Sequence, residues 1–163
     1  MRKQIEQVGE FQAKFGLSAV EQRVPSEMAN EDLQAFRLRR LLSEVEEICE
    51  ASGYVIYVND DDKLDVERIK GKPVDLEEVL DGYVDLLYIM LGSIRFHGFH
   101  LGGVKFTPYE EVSRFEHAFN RVHYKNMLKE AVQREDESEF GSMYDIVKPE
   151  GWEAANLKDL IEP

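Results

Sequence analysis

Two acidic segments that also carry regular apolar stripes constrain the fold of this chain most. The first runs from Arg40 to Ala51 and the second from Asp75 to Tyr88. In both segments carboxylates recur three or four residues apart, so each segment, if helical, places several of them on one face. Two such faces opposed across a helical bundle would form an oxygen-rich pocket suited to a hard divalent cation.

Regular apolar spacing predicts three long helices. They cover residues 2–15, about 30–52 and 75–96. At the start of the third helix, Asp75 and Glu78 match a capping box, which marks a helix N-terminus. The side of this helix that carries the acids becomes apolar further along the chain. We therefore expect this helix to be buried on both sides.

A fourth helix and an insert complete the predicted core. Thr107 followed by Pro108 is typical of a helix start, and the pattern predicts a helix from there to about Ala131. Residues 54–73 combine high β propensity with a turn at the aspartates 60–62, which predicts either a short hairpin or an irregular insert. An aspartate run of this kind is either a solvated turn or a cation ligand.

Residues 132–163 are polar, acidic and interrupted by glycine and proline, which predicts an extended tail. We expect three side chains to pack the tail down: Tyr144, Ile146 and Trp152. With 163 residues, the chain has the length of one domain. The sequence therefore predicts an all-α fold in a single domain, 1–163, with a four-helix-bundle-type core followed by this tail.

Four carboxylates on the second and third helices are the candidate metal ligands. Glu44 falls at the edge of the apolar arc of the second helix, and Glu47 lies roughly 60° further round. Glu78 and Asp81 share one arc of the third helix. Such a cluster repels itself unless a cation or a proton joins it, and Mg²⁺ prefers oxygen ligands. The alternative is chance spacing in an acidic chain, since Glu78 also has a structural role in the capping box.

A di-iron carboxylate site would need a glutamate three residues before a histidine on each of two helices. None of the four histidines in the sequence has a glutamate in that position. The sequence therefore favours an all-oxygen site for Mg²⁺, with Mn²⁺ as the alternative ion.

Basic and polar residues near the end of the predicted fourth helix are candidates for binding a phosphorylated ligand. His123, Asn126 and Lys129 lie near one helical face and could hold a polyphosphate or read a base. Lys148 in the tail adds a cation, and Tyr88 could stack on a base. The alternatives are a solvated helix face for the polar residues and a core position for Tyr88.

The negative charge of the chain disfavours some classes of partner. The formal net charge is −13, so the surface repels nucleic acid polymers and anionic membranes. The N-terminus lacks the apolar run of a signal peptide, and no apolar stretch is long enough to span a bilayer. Cys49 is the only cysteine, which fits a reducing compartment. We expect a soluble cytoplasmic protein.

The ordered acidic motifs and three further stretches resemble a known superfamily. Glu44-x-x-Glu47 followed by Glu78-x-x-Asp81 resembles the metal signature of the all-α nucleoside triphosphate pyrophosphohydrolases. That superfamily includes MazG-like proteins, dimeric dUTPases and phosphoribosyl-ATP pyrophosphohydrolase. The stretches that resemble its phosphoribosyl-ATP pyrophosphohydrolase-like branch are Val8-x-x-Phe11-x-x-x-Phe15-Gly16, Asp81-Gly-x-x-Asp85-Leu-Leu-Tyr88-x-x-x-Gly92, and Val122-His123-x-x-Asn126-Met127-x-Lys129 with Lys148-Pro149-x-Gly151-Trp152.

This resemblance implies a helical bundle of MazG-like architecture that assembles into a homodimer or a homotetramer. It also implies Mg²⁺-dependent cleavage between the α and β phosphates of a nucleotide. The metal ligands would be Glu44, Glu47, Glu78 and Asp81. Asp85 would be a further ligand or would orient the attacking water, and we take Glu47 and Asp85 as the catalytic candidates. The residues in contact with the nucleotide would be His123, Asn126 and Lys129.

The function that we expect is therefore a nucleoside triphosphate pyrophosphohydrolase that releases a monophosphate and pyrophosphate from an NTP or dNTP. Hydrolysis of phosphoribosyl-ATP is the alternative within the same class. An alternative from another class is a non-catalytic, dimeric helical module that binds a nucleotide or a protein partner. In that case the acids would form solvated faces, and the apolar third helix would form the dimer contact.

Overall fold

The computed structural model describes residues 1–17, 25, 31–101, 104–107 and 110–161. The described residues are mostly helical, as predicted, and also form short antiparallel strand pairs. The chain divides into two compact units, Met1–Gln22 with Ser26–Gly98 and Arg23–Pro25 with Phe99–Pro163. The expectation of one domain stays a prediction.

The first unit contains three long helices and one hairpin. Its elements are α1 (Arg2–Lys14), α2 (Glu31–Ala51), β1 (Tyr54–Val58), β2 (Leu64–Arg68) and α3 (Leu76–Phe96). The helices match the ranges predicted from apolar spacing, except that the start predicted for α2 at residue 30 lies outside the described residues. Both α1 and α2 pack against α3.

The start of α3 is fixed by Asp75, as the sequence predicts. The Asp75 carboxylate accepts hydrogen bonds from the backbone N–H groups of Glu77 and Glu78, at 3.1 and 3.3 Å. The backbone N–H of Asp75 donates to the carbonyl of Ala51 at 2.9 Å. This bond ties the beginning of α3 to the end of α2, so the two acidic helices lie side by side.

Polar side chains link the helices of the first unit. The buried amide of Gln12 on α1 donates to the carbonyl of Gly92 and accepts from Nε of Arg95, at 3.4 and 3.0 Å. Arg37 on α2 donates through Nε to Oγ of Ser93 at 3.2 Å. It also donates through Nη2 to the carbonyl of Ile89. These bonds cross between helices and satisfy polar groups that packing would otherwise leave unpaired.

The expectation that α3 is buried on both sides is confirmed only in its C-terminal part. Ile89 and Gly92 continue the arc of the exposed acids along the helix, and both are buried, as is Gly82 at its margin. Leu91 and Ile94 are buried on other sides of the helix. Most of the longer apolar stripe that ends at Ile94 is exposed in the single chain; its exposed members are Leu76, Leu80, Tyr83, Leu87 and Met90. Exposed apolar side chains on the neighbouring face of α2 are Leu38, Leu42 and Val45. We call these eight residues the exposed stripe.

The segment 54–73, left open by the sequence, contains a regular hairpin. Strands β1 and β2 pair antiparallel, with Tyr54 opposite Arg68 and Val58 opposite Leu64. The Asn59 side chain accepts from two backbone N–H groups of the turn. The aspartates 60–62 therefore lie in an exposed turn.

The hairpin is anchored at its base by Arg68. The guanidinium donates to the carbonyls of Ser52, Gly53 and Lys72, at 2.5, 3.1 and 2.8 Å. Two of these carbonyls lie at the end of α2 and one lies just before α3. The same side chain thus holds the hairpin against the connection between the two acidic helices.

The second unit mixes short strands with one longer helix. Its elements are β3 (Val104–Thr107), β4 (Glu110–Val112), α4 (Arg114–Asn126), β5 (Glu130–Ala131), a 3-10 turn (Glu135–Glu137), β6 (Ile146–Val147) and α5 (Lys158–Ile161). Strand β3 pairs with β4, and β5 pairs with β6.

The predicted start of the fourth helix is wrong. Thr107 lies in β3 and Glu110 in β4, because this segment pairs with itself as a short antiparallel ladder. The helix begins after Ser113, whose side chain forms a complete capping box with Glu116. It ends at Asn126 rather than near residue 131, so the predicted helical face that includes Lys129 does not form.

The prediction for the tail is correct only in part. Trp152 is partly buried, but Tyr144 is fully exposed and Ile146 is 55% exposed. The buried apolar side chains of the tail are instead Val132 and Leu160. None of the helices in the described ranges is long and apolar enough to cross a membrane.

Close approach of α2 and α3 depends on Gly82. A Cβ atom at this position would lie 2.7 Å from Cγ1 of Ile48, a buried branched side chain of α2. We expect Gly82→Ala to lower the free energy of unfolding by roughly 1–3 kcal/mol, because the core must shift to admit the methyl group. Urea titration followed by circular dichroism measures this.

Gly9→Ala on α1 is the matched control for this substitution. The three atoms nearest to its Cβ would all belong to the guanidinium of Arg95, the far end of a long side chain and not the branched core side chain that Gly82 meets. We expect a smaller loss of stability than in Gly82→Ala. Equal losses in the two variants would contradict the steric explanation.

Candidate functional site

The predicted metal ligands line one cavity of about 310 Å³ in the first unit. Its described lining contains seven carboxylates: Glu44, Glu47, Glu50, Asp75, Glu78, Asp81 and Asp85. Lys72 is the cation in that lining, and its Nζ lies 3.6 Å from the carboxylate of Glu50. All four predicted ligands and Asp85 are therefore brought together between α2 and α3.

Glu44 is the most unusual member of this cluster. Its side chain is buried, with the residue 1% exposed, whereas the sequence placed it at the edge of the apolar arc. Its one ion-pair partner in the described residues is Arg40, one turn earlier on α2, with Nη2 2.5 Å from Oε1. Burying a carboxylate is unfavourable unless charge or hydrogen bonds compensate it.

The surroundings of Glu44 favour its protonated form. Burial raises the pKa of the Glu44 carboxyl above its ordinary value, and the charge of Glu47 raises it further. The guanidinium of Arg40 opposes this rise in pKa, while Asp85 and Asp81 add to it. A cation placed among these carboxylates would relieve the same repulsion that favours the proton.

The other carboxylates of the cavity are exposed, and their donor set is chemically simple. Glu47, Glu78, Asp81 and Asp85 are all exposed, and Glu47 accepts from Oγ of Ser43 at 3.3 Å. Within the described ranges, no three histidine, cysteine or carboxylate side chains already stand close enough together to hold one ion. The lining is thus an open set of oxygen donors, which suits Mg²⁺ or Mn²⁺ in chemistry.

A second and larger cavity adjoins the first one. Its volume is about 530 Å³, within the range of small-molecule sites. Its lining comes from α1 and the residue Leu17 after it, from α2 and from α3. The residues are Val8, Phe11, Gln12, Leu17, Phe36, Arg37, Arg40, Asp85, Tyr88, Ile89 and Gly92. Asp85 lines both cavities. Tyr88, the predicted stacking residue, lies in this larger cavity and packs edge-on against Phe11, with 5.4 Å between ring centroids.

Sequence reasoning missed the two arginines of the larger cavity. Arg37 and Arg40 lie three residues apart on α2, so one helical face carries both. The apolar pattern of α2 gave no signal for them, because it does not weigh charged residues. The larger cavity therefore combines aromatic rings with positive charge.

The predicted nucleotide-binding residues of the second unit lie together in part. His123 and Asn126 are exposed on the last turn of α4. Lys129 and Lys148 both lie over the ring of Trp152, with Nζ 5.3 and 5.2 Å from the ring centroid. The indole N–H of Trp152 donates to the carbonyl of Lys125 at 2.9 Å, which fixes the ring. The two lysines thus present neighbouring positive charges.

No protein-family model matches the sequence, and no curated protein matches it. The functional interpretation therefore depends on the residues themselves.

The raised pKa of Glu44 predicts a pH dependence of stability in the presence of a chelator. Below the ordinary range of a glutamate, Glu44 is protonated in the folded and the unfolded chain, and its contribution to stability is fully present. This contribution is lost as pH rises through the raised folded pKa. Glu44→Gln resembles the protonated form at every pH. We therefore expect its Tm to match that of the wild type at low pH and to exceed it at neutral pH.

Calorimetry across pH 4 to 8 measures this difference. Glu46→Gln, at an exposed position of the same helix, should follow the wild-type pH dependence. A wild-type Tm above that of Glu44→Gln at neutral pH would mean that the ion pair with Arg40 outweighs burial, contrary to this prediction.

Proposed function

We propose that the protein is a Mg²⁺-dependent nucleoside triphosphate pyrophosphohydrolase that cleaves the α–β phosphate bond of an NTP or dNTP. The observation that carries the proposal is a buried carboxylate, Glu44, among the acids of one cavity, beside a second cavity of small-molecule size. Asp85 lines both cavities. A nucleotide could therefore extend from one to the other, with its phosphates at the acids.

The metal would be held by the four predicted ligands, Glu44, Glu47, Glu78 and Asp81. All are oxygen donors that line one cavity. Burial raises the pKa of Glu44, and the charge of Glu47 raises it further; a cation would relieve that repulsion. Mg²⁺ there would supply positive charge against the phosphate oxygens and make a neighbouring water more acidic. Mn²⁺ has the same ligand chemistry and is the alternative ion.

Other residues of the first unit would activate the water, bind the phosphates and stack on the base. Asp85, at the junction of the two cavities, orients the attacking water, and Asp85 or Glu47 accepts its proton. The water oxygen bonds to one phosphorus of the α–β anhydride, and the bond from that phosphorus to the bridging oxygen breaks. The bridging oxygen leaves with the other phosphorus, and the products are a nucleoside monophosphate and pyrophosphate. Arg40 lines the larger cavity and also pairs with Glu44, so its guanidinium is available to the phosphates. Tyr88 stacks on the base.

The resemblance also assigns nucleotide contacts to His123, Asn126 and Lys129. Lys129 and Lys148 both lie over the ring of Trp152, and two neighbouring ammonium groups suit a polyphosphate. His123 and Asn126 would add hydrogen bonds from α4. These roles are carried over from the resemblance.

The proposed architecture is a MazG-like four-helix-bundle-type core that a second copy completes. The exposed stripe supports this, because its eight large apolar side chains lie on two helices that pack together and are each at least 38% exposed in the single chain. A homodimer or a homotetramer would cover it. The same stripe would serve the alternative, a non-catalytic helical module, so assembly alone does not decide the function.

The proposed reaction predicts release of pyrophosphate that depends on Glu47. We expect chelator-sensitive release from at least one member of an NTP and dNTP panel in Mg²⁺. Glu47→Ala should lower kcat by roughly 100-fold or more, since it removes a carboxylate of the metal and proton-transfer site. A coupled pyrophosphate assay measures the rate, and circular dichroism confirms that helix content is retained.

Glu46→Ala is the matched control, since Glu46 is the exposed neighbour of Glu47 on the same helix and is not in the cavity lining. Wild-type rates in Glu47→Ala would refute the assignment, and release of orthophosphate would indicate a different bond. Turnover of phosphoribosyl-ATP with none on the panel would favour the alternative substrate. A melting temperature unaffected by Mg²⁺ with a non-hydrolysable triphosphate would favour the non-catalytic module.

The proposed assembly predicts that a charge on the exposed stripe dissociates the protein. Leu80 is 66% exposed in the single chain. Leu80→Glu should therefore shift the protein to monomer without unfolding it, because a carboxylate at an apolar interface loses its hydration. Sedimentation velocity measures the mass. Gln7→Glu, which adds a carboxylate to an exposed position of α1, should leave the mass of the wild type unchanged. A monomeric wild type would refute the assembly.

A further inference from the structure

The larger cavity of the first unit is rich in hydrogen-bond donors. Arg37 and Arg40 can only donate, because a guanidinium has no acceptor. The amide of Gln12 is engaged at both ends, by the carbonyl of Gly92 and by Nε of Arg95. Asp85 is an acceptor, but it lies where this cavity meets the acidic one.

Arg37 is held in place at the cavity wall. Its Nε donates to Oγ of Ser93 at 3.2 Å, and its Nη2 donates to the carbonyl of Ile89. Its guanidinium also lies 5.6 Å from the ring centre of Phe96. A side chain at Gly92 would collide with Nη2, so the absence of a side chain there makes room for the guanidinium.

Part of this fixed guanidinium is available to a ligand. An arginine has five N–H groups, and hydrogen bonds to Ser93 and Ile89 use two of them. Nη1 has no acceptor among the described residues. Because the other bonds fix the plane of the guanidinium, its remaining donors have a defined direction, which is the requirement for selective recognition.

The walls of the same cavity suit a planar ring. Phe11 and Tyr88 pack edge-to-face, and Phe11 is still 43% exposed. Phe36 lines the cavity from α2 and is 53% exposed. Aromatic faces of this kind stack on nucleobases whatever their identity, so stacking gives affinity and the polar groups give selectivity.

We propose that this cavity selects nucleobases that present carbonyl oxygens, namely uracil, thymine and guanine, and that Arg37 is the residue that determines this specificity. The proposal rests on the proposed function, because it takes the ligand to be a nucleotide. O4 of uracil or thymine, and O6 with N7 of guanine, accept from a guanidinium. Cytosine and adenine carry an amino group at the position of these carbonyl oxygens. An amino group donates, as the guanidinium of Arg37 does, so no hydrogen bond forms between them.

The test compares bases that differ at one edge. In Mg²⁺, kcat/KM for pyrophosphate release should be about 10-fold higher or more for dUTP than for dCTP, and likewise for dGTP than for dATP. Titration calorimetry with the α,β-imido analogues of dUTP and dCTP measures the same preference without turnover. Equal values for the two members of each pair, or a preference for dCTP and dATP, overturn the proposal.

Substitution of Arg37 tests its role. Arg37→Lys keeps the charge but loses the planar fork, so the dUTP to dCTP ratio should fall toward one while turnover persists. Arg39→Lys, at an exposed position of the same helix outside the cavity lining, should keep the wild-type ratio. If Arg37→Lys does not fold, Ser93→Ala releases Nε of Arg37 and should lower the ratio in the same direction. An unchanged ratio in the folded variant overturns the role of Arg37.

The two assays separate this proposal from the proposed function. Selective binding of the dUTP analogue with no pyrophosphate release would support base selection and refute the hydrolase. Pyrophosphate release without base preference would support the hydrolase and refute the base selection. Absence of binding for every analogue would overturn the base selection.

Discussion

The rest of the first unit depends on the burial of one carboxylate, that of Glu44. A residue 1% exposed on an acidic helix must find compensation, and the described residues offer one guanidinium, from Arg40, against three nearby acids. Ion pairs at this spacing on a helix are weak when exposed, and burial of the carboxylate alone is unfavourable. A fold that keeps such a group departs from what stability alone would select, and departures of this kind cluster at functional sites.

The acidic cavity and the exposed stripe have the same structural cause. Gly82 lets α3 approach Ile48 of α2 on the side that carries the acids, so that side faces inward. The opposite side of α3, which is the more continuous apolar one, must then face outward. A helix turned the other way would bury the stripe and turn the acids of α3 away from those of α2, which would remove the cavity. In the proposed function, the metal site and the need for a second copy therefore both follow from which side of α3 packs against α2.

The sequence predicted those features that local chemistry determines. Apolar spacing and the Asp75 cap predicted the ranges of α1 to α3. Apolar spacing did not predict which face is buried, since most of the apolar stripe of α3 is exposed in the single chain. Thr107 with Pro108 predicted a helix start wrongly, since pairing of β3 with β4 overrode the local signal, while the capping box at Ser113 was overlooked. The four carboxylates were correctly placed together. Burial of Glu44 and the cavity position of Arg37 were not found, because charged residues carry no weight in an apolar pattern and their burial depends on tertiary contacts.

Charge arrangement explains why the two arginines belong in the larger cavity under the proposed function. A chain with a net charge of −13 repels a polyphosphate at long range, so affinity must come from groups that act at short range in a partly enclosed space. A metal among the acids would make the local electrostatic potential positive where the phosphates bind, but not at the nucleoside. The nucleoside is uncharged, so its recognition depends on the shape of the cavity and on hydrogen-bond donors with a defined direction. Arg37 supplies such donors, because its own hydrogen bonds fix the guanidinium. Acids on one side and donors on the other would thus orient the substrate in a single direction.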